Sequence, residues 1–399
     1  ATRVTGTVVG SVAPLRSDGV AKLGGLLLAA PPGTEPEVLD ALAQRSEALD
    51  DDARAVCDAL HLPGAVVLVG ERLAGTRGGM SAALRVAAAT GARLAWIPRR
   101  AGERGALEAG CLPGLLPGGR PVADAAARAE VATIWGAQPP SSPGRDTTAI
   151  LLAARDGELE ALVIAGVDLD DLPDPQLARD ALAAVPFVLS LELRSSAVTE
   201  RADVVLPVAP AVEKSGTFLN WEGRARPFDA ALLGTGALPD CRVLDSLAEE
   251  LDVALGTAQV ETVRTELDRL GPWAGTRPAP PNASAASSPV PTLGQAVLAG
   301  WHLLLDDGSL QDDEPHLAGT RRPAVARLSA ATAAEIGARA GAPVTVATAH
   351  GSVTLPLMVT SMPDRVAWLP ICSPGSHVRR QLRVESGALV RISVGEVDA

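Results

Sequence analysis

Between Ala65 and Pro98 the chain is punctuated in a way that few folds accommodate. Ala65–Val69 is a compact apolar run rich in β-branched residues and ends at Gly70. Met80–Thr90 is a run of strong helix formers closed by Gly91, and Arg93–Ile97 is a second apolar run stopped by Pro98. Apolar runs this short and continuous fit strands covered on both faces, and the stretch between them fits a helix with a glycine at its C-cap. A strand–helix–strand unit of this kind places its two strands in parallel through a right-handed crossover. The pattern returns further on. Ala161–Ala165 reads as a buried strand followed by Asp and Pro turn residues. Pro175–Ala184 reads as a helix with proline in its first turn, and Phe187–Leu191 and Val204–Leu206 read as further strands. The alternation predicts a doubly wound, mostly parallel α/β region over residues 1–270.

After residue 270 the composition changes. Residues 271–292 are rich in Pro, Ala, Ser and Gly and carry too little apolar surface to fold on their own, so a linker is expected there. Beyond it the hydrophobic period falls to two. Pro343–Ala349 and Ser352–Val359 alternate around His350–Gly351 as a hairpin would. Val366–Leu369 and Ala388–Val394 add strands, and Ala330–Ala340 reads as a helix. Residues 293–399 are therefore expected to form a small β-barrel with a helix or two.

The formal net charge of -12 repels phosphate backbones, and with aromatic residues at 2% there is no stacking platform or basic stripe, which argues against nucleic acid as a partner. No apolar run approaches the roughly 18 residues of a membrane-spanning helix, so contact with a membrane is expected only through partner proteins. Ala1–Gly10 is a polar, strand-like opening with neither an initiator Met nor the regions of a signal peptide. It is read as the start of a piece of a longer polypeptide. The four cysteines, Cys57, Cys111, Cys241 and Cys372, lie far apart in sequence without a Cys-x-x-Cys unit. That spacing predicts buried, reduced thiols in a reducing compartment and no local zinc or iron–sulfur site.

Several motifs invite a chemical reading. Gly70–Thr76 resembles the start of a phosphate loop but lacks the Lys and hydroxyl residue that would follow its second glycine, and Gly78–Gly79 is expected to be a plain turn before a helix. His61, His302, His316, His350 and His377 are scattered, with no HExxH helix, and no GxSxG elbow is present. The acidic groups Asp50–Asp52, Asp168–Asp171 and Asp306–Asp313 lack the spacing of a calcium loop and read as solvated turns. The densest signal follows the strand that ends at Pro207. Within twelve residues the chain presents Glu213, Gly216, Thr217, Asn220, Glu222 and Arg224. Carboxylates, an amide, a hydroxyl and an Arg at that density suit either a buried hydrogen-bond network or a bidentate anion clamp.

The phrases ADVVLP (Ala202–Pro207) and EKSGTFLNWEGR (Glu213–Arg224) are similar to the pattern of molybdopterin-dependent oxidoreductases. ERGALEAGCLPGLLPGGRPV (Glu103–Val122) resembles the loop between that superfamily's central α/β domains, and Leu328–Val394 resembles its C-terminal double-psi β-barrel. Within the superfamily, RGALEAGCLPGLLPGGRP and the run from SAATAAEIG to LPLMVTSMPDRVAWLP resemble the large iron–sulfur subunit of bacterial respiratory NADH–quinone oxidoreductase. The resemblance implies a part of an enzyme complex, with other peripheral-arm subunits as partners, on the cytoplasmic face of the cell membrane. It implies iron–sulfur clusters on a portion upstream of Ala1, and a C-terminal portion that has lost the molybdenum cofactor. Where active relatives carry Gly-x-Asn-Pro against the pterin nucleotide, this chain reads Gly166 to Pro173 without Asn-Pro. After His377 it lacks the family's Asn. Glu213, Gly216, Thr217, Asn220, Glu222 and Arg224 then stand as a vestigial cofactor site, with Arg224 paired to Glu213 or Glu222, Asn220 bonded to the loop backbone, and Phe218 and Trp221 buried as anchors. The contrasting expectation is part of an active molybdopterin-dependent enzyme such as a formate dehydrogenase.

Overall fold

A computed structural model describes residues 6–395 of the chain. They divide into two compact units, Ala1–Ile97 with Pro280–Ala399, and Pro98–Ala279. The strand-like opening expected over Ala1–Gly10 falls partly outside the described residues, and among those described the first strand begins only at Gly10.

In the first unit β1 (Gly10–Ala13) pairs in parallel with β2 (Leu26–Ala29), and β3 (Val66–Val69) pairs in parallel with β4 (Arg93–Trp96). The helix linking the second pair runs Gly79–Thr90 and ends on Gly91, whose φ of 76° is the left-handed value that glycine adopts without Cβ strain. A second helix, Asp51–Leu60, starts where the Asp50 carboxylate accepts the Ala53 N–H. The apolar sides of these elements meet in one core, including Leu28, Leu42, Val56, Cys57, Val69, Ala82 and Val86.

The second unit opens with the helix Glu103–Glu108 and the tight hairpin β5 (Leu115–Leu116) and β6 (Arg120–Pro121). A three-stranded parallel sheet follows, β7 (Ala161–Ala165), β8 (Phe187–Glu192) and β9 (Val204–Pro207), in the order β7-β8-β9. Pro175–Ala184 is helical as its sequence predicts. Asp174 caps it, and Pro175 occupies a first-turn position where its missing N–H costs nothing. Beyond the sheet lie the antiparallel hairpin β10 (Gly216–Leu219) and β11 (Ala225–Phe228) and the helices Asp240–Glu250 and Val260–Leu270.

The parallel strands expected from the sequence form, but in groups of two, two and three rather than as one wide sheet. Their expected burial on both faces holds for the middle strand β8, whose Leu189 and Leu191 pack with Val208 and Val243, but not for β7. Ala154, Ala178, Ala181 and Leu182 from two helices join Leu162 and Val188 in one cluster on one side of β7 and β8, while Val163 on the other side is 61% exposed.

Residues 271–292 contain no helix or strand, as a Pro-rich segment should, yet they are not free chain. Their first part is held by Arg120, a residue 2% exposed that donates to the carbonyls of Leu270 at 2.6 Å and Gly271 at 2.7 Å. Trp273 is buried; its backbone N–H donates to Gly118 O at 2.9 Å and its indole Nε1–H to Thr276 O at 3.2 Å. In the other unit Ser81 Oγ donates to Pro281 O at 2.9 Å and accepts from Ala283 N at 3.0 Å. Backbone groups that cannot pair with each other are satisfied by side chains instead.

The C-terminal portion closes into a six-stranded barrel, in the order β12-β16-β13-β15-β14-β19. These strands are β12 (Gln295–Trp301), β13 (Ala326–Leu328), β14 (Pro343–Ala347), β15 (Ser352–Val359), β16 (Val366–Pro370) and β19 (Leu389–Val394). The short hairpin β17 (Cys372–Ser373) and β18 (Ser376–His377) follows β16. Two pairs are parallel, β12 with β16 and β13 with β15, and the other neighbours run antiparallel. Period-two alternation fills the interior, with Val344, Val346, Val353, Leu355 and Leu357 pointing inward beside Leu298, Leu328 and Leu369. The helix expected over Ala330–Ala340 is capped by Ser329 but spans only Ala330–Glu335, because Gly337 turns the chain at φ 72°. Closing the barrel removes the exposed sheet edges that would template aggregation.

Candidate functional site

The six residues singled out above lie on and around the β10–β11 hairpin of the second unit. Glu213 ends the short 3-10 turn Ala211–Glu213, Gly216 and Thr217 open β10, and Asn220, Glu222 and Arg224 form the connecting turn. Asn220 organises that turn. Its Oδ1 accepts from Glu222 N at 3.1 Å and Arg224 N at 2.8 Å, while its backbone N–H donates to Arg224 O at 3.1 Å. Arg224 Nε sits 3.1 Å from Glu222 Oε2, with the two side chains 62% and 39% exposed. Gly216 is required by packing, since a Cβ there would lie 2.5 Å from the Phe228 ring. Phe228 in turn stacks on Phe218 with centroids 5.0 Å apart.

One expectation fails here. Phe218 and Trp221 do not anchor the loop by burial, since each is 45% exposed. The turn points its aromatic residues outward and holds its shape through Asn220. The Arg224–Glu222 pair is accordingly a surface pair and not part of a buried network.

Residues that the local sequence pattern did not flag complete the arrangement. Arg264, on the helix Val260–Leu270, donates to Thr217 Oγ1 at 3.0 Å and Gly216 O at 2.5 Å. Lys214 pairs with Asp240 at the start of another helix. Arg104, which pairs with Glu108 at 2.5 Å, lies against the turn, where a Cβ on Gly223 would come within 3.4 Å of its Nη2. Only the spacing of Arg104 and Glu108, one helical turn apart, was available to local reading.

The loop Gly166–Pro173 follows β7, the place where an α/β sheet presents a ligand. Gly166 takes φ 58° and its N–H donates to Leu191 O at 3.1 Å. Asp168 accepts from Asp170 N at 2.9 Å, Asp170 pairs with Arg179 at 2.5 Å, and Asp171 pairs with Arg100. The residues present do not fit a phosphate-bearing pterin nucleotide. Such a ligand needs open cations or amide N–H groups, whereas this loop offers three carboxylates. Arg100, Arg104, Arg179 and Arg224 already face carboxylates, as does Lys214.

The other motifs resolve into local structure. Gly78 begins the helix Gly79–Thr90, and a Cβ on it would lie 2.8 Å from Ala285 N, so the chain itself occupies the approach to that turn. Asp50 and Asp168 act as caps. Of the cysteines only Cys57 is buried; Cys111 is exposed and Cys241 and Cys372 are half-buried, which corrects the expectation of four buried thiols. Cys111 follows the turn that ends the helix Glu103–Glu108, where no element covers it. Among the described residues no group of three or more His, Cys, Asp or Glu is placed to hold a metal ion, and no helix is long and apolar enough to cross a membrane.

A family model described as molybdopterin oxidoreductase matches residues 64–249, which contain both loops and the parallel sheet between them. A solved structure, acetylene hydratase from Pelobacter acetylenicus, shares the fold with a TM-score of 0.59 and 14% sequence identity, over 97% of this chain and 74% of that one. The chain carries a molybdopterin oxidoreductase domain over residues 64–249. Across nearly its whole length it is similar to the G subunit of NADH-quinone oxidoreductase. It is 55% identical to the G subunit of Streptomyces coelicolor over 98% of this chain, and 54% identical to that of Mycobacterium tuberculosis over 96%. It spans about half of those relatives, 47% of each. A putative formate dehydrogenase of Bacillus subtilis is 32% identical over 42% of the chain and 17% of the relative.

Proposed function

We propose that this chain is a structural portion of the subunit that carries electrons from NADH toward quinone in the peripheral arm of a proton-pumping NADH–quinone oxidoreductase. It holds no cofactor of its own. The iron–sulfur clusters sit elsewhere in the full-length subunit, and the molybdopterin has been lost. The observation that carries this reading is the 54–55% identity to the G subunit across nearly the whole chain. The paired cations around Gly166–Pro173 and the β10–β11 hairpin support loss of the cofactor. On this reading Glu213, Gly216, Thr217, Asn220, Glu222 and Arg224 are the remains of a cofactor site, now shaping a surface turn.

The exposed apolar residues support the scaffold role. Val66 and Leu68 on β3, Val163 on β7, Phe187 on β8 and Val204 and Val205 on β9 all lie open. Apolar strand faces of that kind are usually covered by partners. The partners proposed are other peripheral-arm subunits, with no nucleic acid, and with membrane contact only through those subunits on the cytoplasmic face. In architecture, we read the barrel over 293–399 as a double-psi barrel, the region 1–270 as a doubly wound α/β region divided into smaller sheets, and 271–292 as the connector.

Elemental analysis together with thermal melts in guanine nucleotide tests the loss of cofactor. The chain is expected to contain no stoichiometric Mo, Fe or Zn and to melt at the same temperature with and without the nucleotide. Stoichiometric Mo, or a large nucleotide-dependent rise in melting temperature, would instead support an active molybdopterin enzyme of the formate dehydrogenase kind.

A further inference from the structure

β12 and β16 run in parallel and stop at the same end of the barrel, where Trp301 pairs with Pro370. The segments that leave them, Trp301–Gly308 and the β17–β18 hairpin, meet there. Cys372 and His377 are cross-strand partners in the hairpin, with Cys372 Sγ 3.8 Å from His377 Nδ1. On the far side of the ring His377 Nε2 lies 3.1 Å from Asp307 Oδ2. Asp307 is itself held, since its N–H donates to Cys372 O at 3.2 Å and Arg321 Nη1 donates to its Oδ1 at 3.3 Å.

The proton positions follow from this geometry. An ionised carboxylate only accepts, so Asp307 takes the Nε2–H of His377. That fixes the tautomer with its lone pair on Nδ1, facing the thiol. A nucleophile, a base and a group that orients the base are thus in line. Next to Asp307, His302 adds an independent feature. Its side chain is 10% exposed and its Nδ1 bonds Asp306 Oδ2 at 2.8 Å, but its buried Nε2 has no hydrogen-bond partner. That orphaned nitrogen marks a polar position beside the Asp306–Asp307 segment.

We propose that Cys372 is a reactive thiol, activated by His377 and oriented by Asp307, whose substrates are small hydroperoxides. Nδ1 of His377 takes the thiol proton and the thiolate attacks one peroxide oxygen. The S–O bond forms as the O–O bond breaks, and the leaving oxygen takes the proton from the imidazolium and departs as water or an alcohol. The sulfur loses two electrons and becomes a sulfenic acid, while the peroxide is reduced. The other cysteines lack this arrangement. Cys57 is buried and its Sγ donates to Leu42 O, and Cys111 is more exposed than Cys372 but has no imidazole partner among the described residues.

Cys111 is therefore an internal control in the same molecule. The full-length protein would be treated at neutral pH with limiting iodoacetamide and, separately, with hydrogen peroxide and dimedone to trap sulfenic acid, each modified peptide being quantified by mass spectrometry. Cys372 should react about tenfold faster than Cys111, below the ~10²–10⁴ that a fully positioned base supplies. Its rate should also hold up at lower pH than that of Cys111, a comparison that needs no variant. His377→Gln should bring Cys372 down to the Cys111 rate, and Asp307→Asn should shift it the same way by less, with circular dichroism confirming that both variants fold. A wild-type Cys372 slower than Cys111, a rate unchanged by His377→Gln, or dimedone found on Cys111 alone would overturn the proposal.

Discussion

Arg120→Met separates a buried polar hub from a surface pair. The substitution keeps the aliphatic volume and removes every donor. In the native chain Arg120 makes two bonds to Glu130 Oε2, at 2.9 and 2.8 Å, and donates to the carbonyls of Pro117 at 3.0 Å, Gly271 at 2.7 Å and Leu270 at 2.6 Å. A buried acceptor left without a donor costs about 1–3 kcal/mol. Pro117 is buried, while Leu270 and Gly271 are half-buried and recover part of that loss from water. The Glu130 side chain is 50% exposed and rehydrates as well. The total should therefore fall at the lower end of the ~3–5 kcal/mol typical of breaking a buried pair, near ~3 kcal/mol. For a unit of this size that lowers the melting temperature by roughly 6–12 °C, at about 2–4 °C per kcal/mol. Arg224→Ala removes a pair whose members are 62% and 39% exposed, and should cost less than about 1 kcal/mol. Thermal and urea melts of the wild type and both variants, followed by circular dichroism, make the comparison. An Arg120→Met protein within about 0.5 kcal/mol of wild type, the usual range for surface changes, would refute this reasoning, as would an equal cost for Arg224→Ala.

Burial raises the Glu35 carboxyl above its usual range, so its charged form is disfavoured in the folded state. The contribution of a raised group is fully present below its unfolded value and is lost as pH rises through the folded one. Glu35→Gln, which keeps an acceptor for Gly33 N, should therefore raise the melting temperature at pH 7 and lose that advantage near pH 4; an advantage confined to acid would contradict the assignment. Gly216→Ala forces a Cβ against the Phe228 ring and should cost about 1–3 kcal/mol, measured by urea melts, whereas a neutral effect would show that the ring yields freely.

The sequence identified elements whose signals are local. Asp174 and Pro175 mark the start of a helix, Gly91 marks the end of another, and the alternation on either side of His350–Gly351 defines a hairpin. It did not reveal β12, whose Gln295–Trp301 run follows directly on Pro-rich chain, or the short β13. Nor could it say which faces of the parallel strands are covered. A continuous apolar run looks the same whether helices pack on one side or two, and here Val163 stays open while Leu162 is buried. The site shows the same division. The role of Asn220 in its turn follows from residue type and spacing, because an Asn side chain bonds backbone two residues on. The grip of Arg264 on Gly216 and Thr217, and of Arg120 on Gly271, joins residues distant in sequence, and no local pattern encodes it. Phe218 and Trp221 stay open, because apolar type alone does not imply burial.

The reading of this chain as part of an NADH–quinone oxidoreductase is tested most directly by isolating its full-length gene product. The protein would be tagged at its native locus, purified in mild detergent, and assayed for NADH-oxidising activity and for co-purifying polypeptides. The account predicts recovery of a multi-subunit assembly that oxidises NADH and contains iron–sulfur clusters. Recovery of a lone, soluble monomer without NADH oxidation would contradict it.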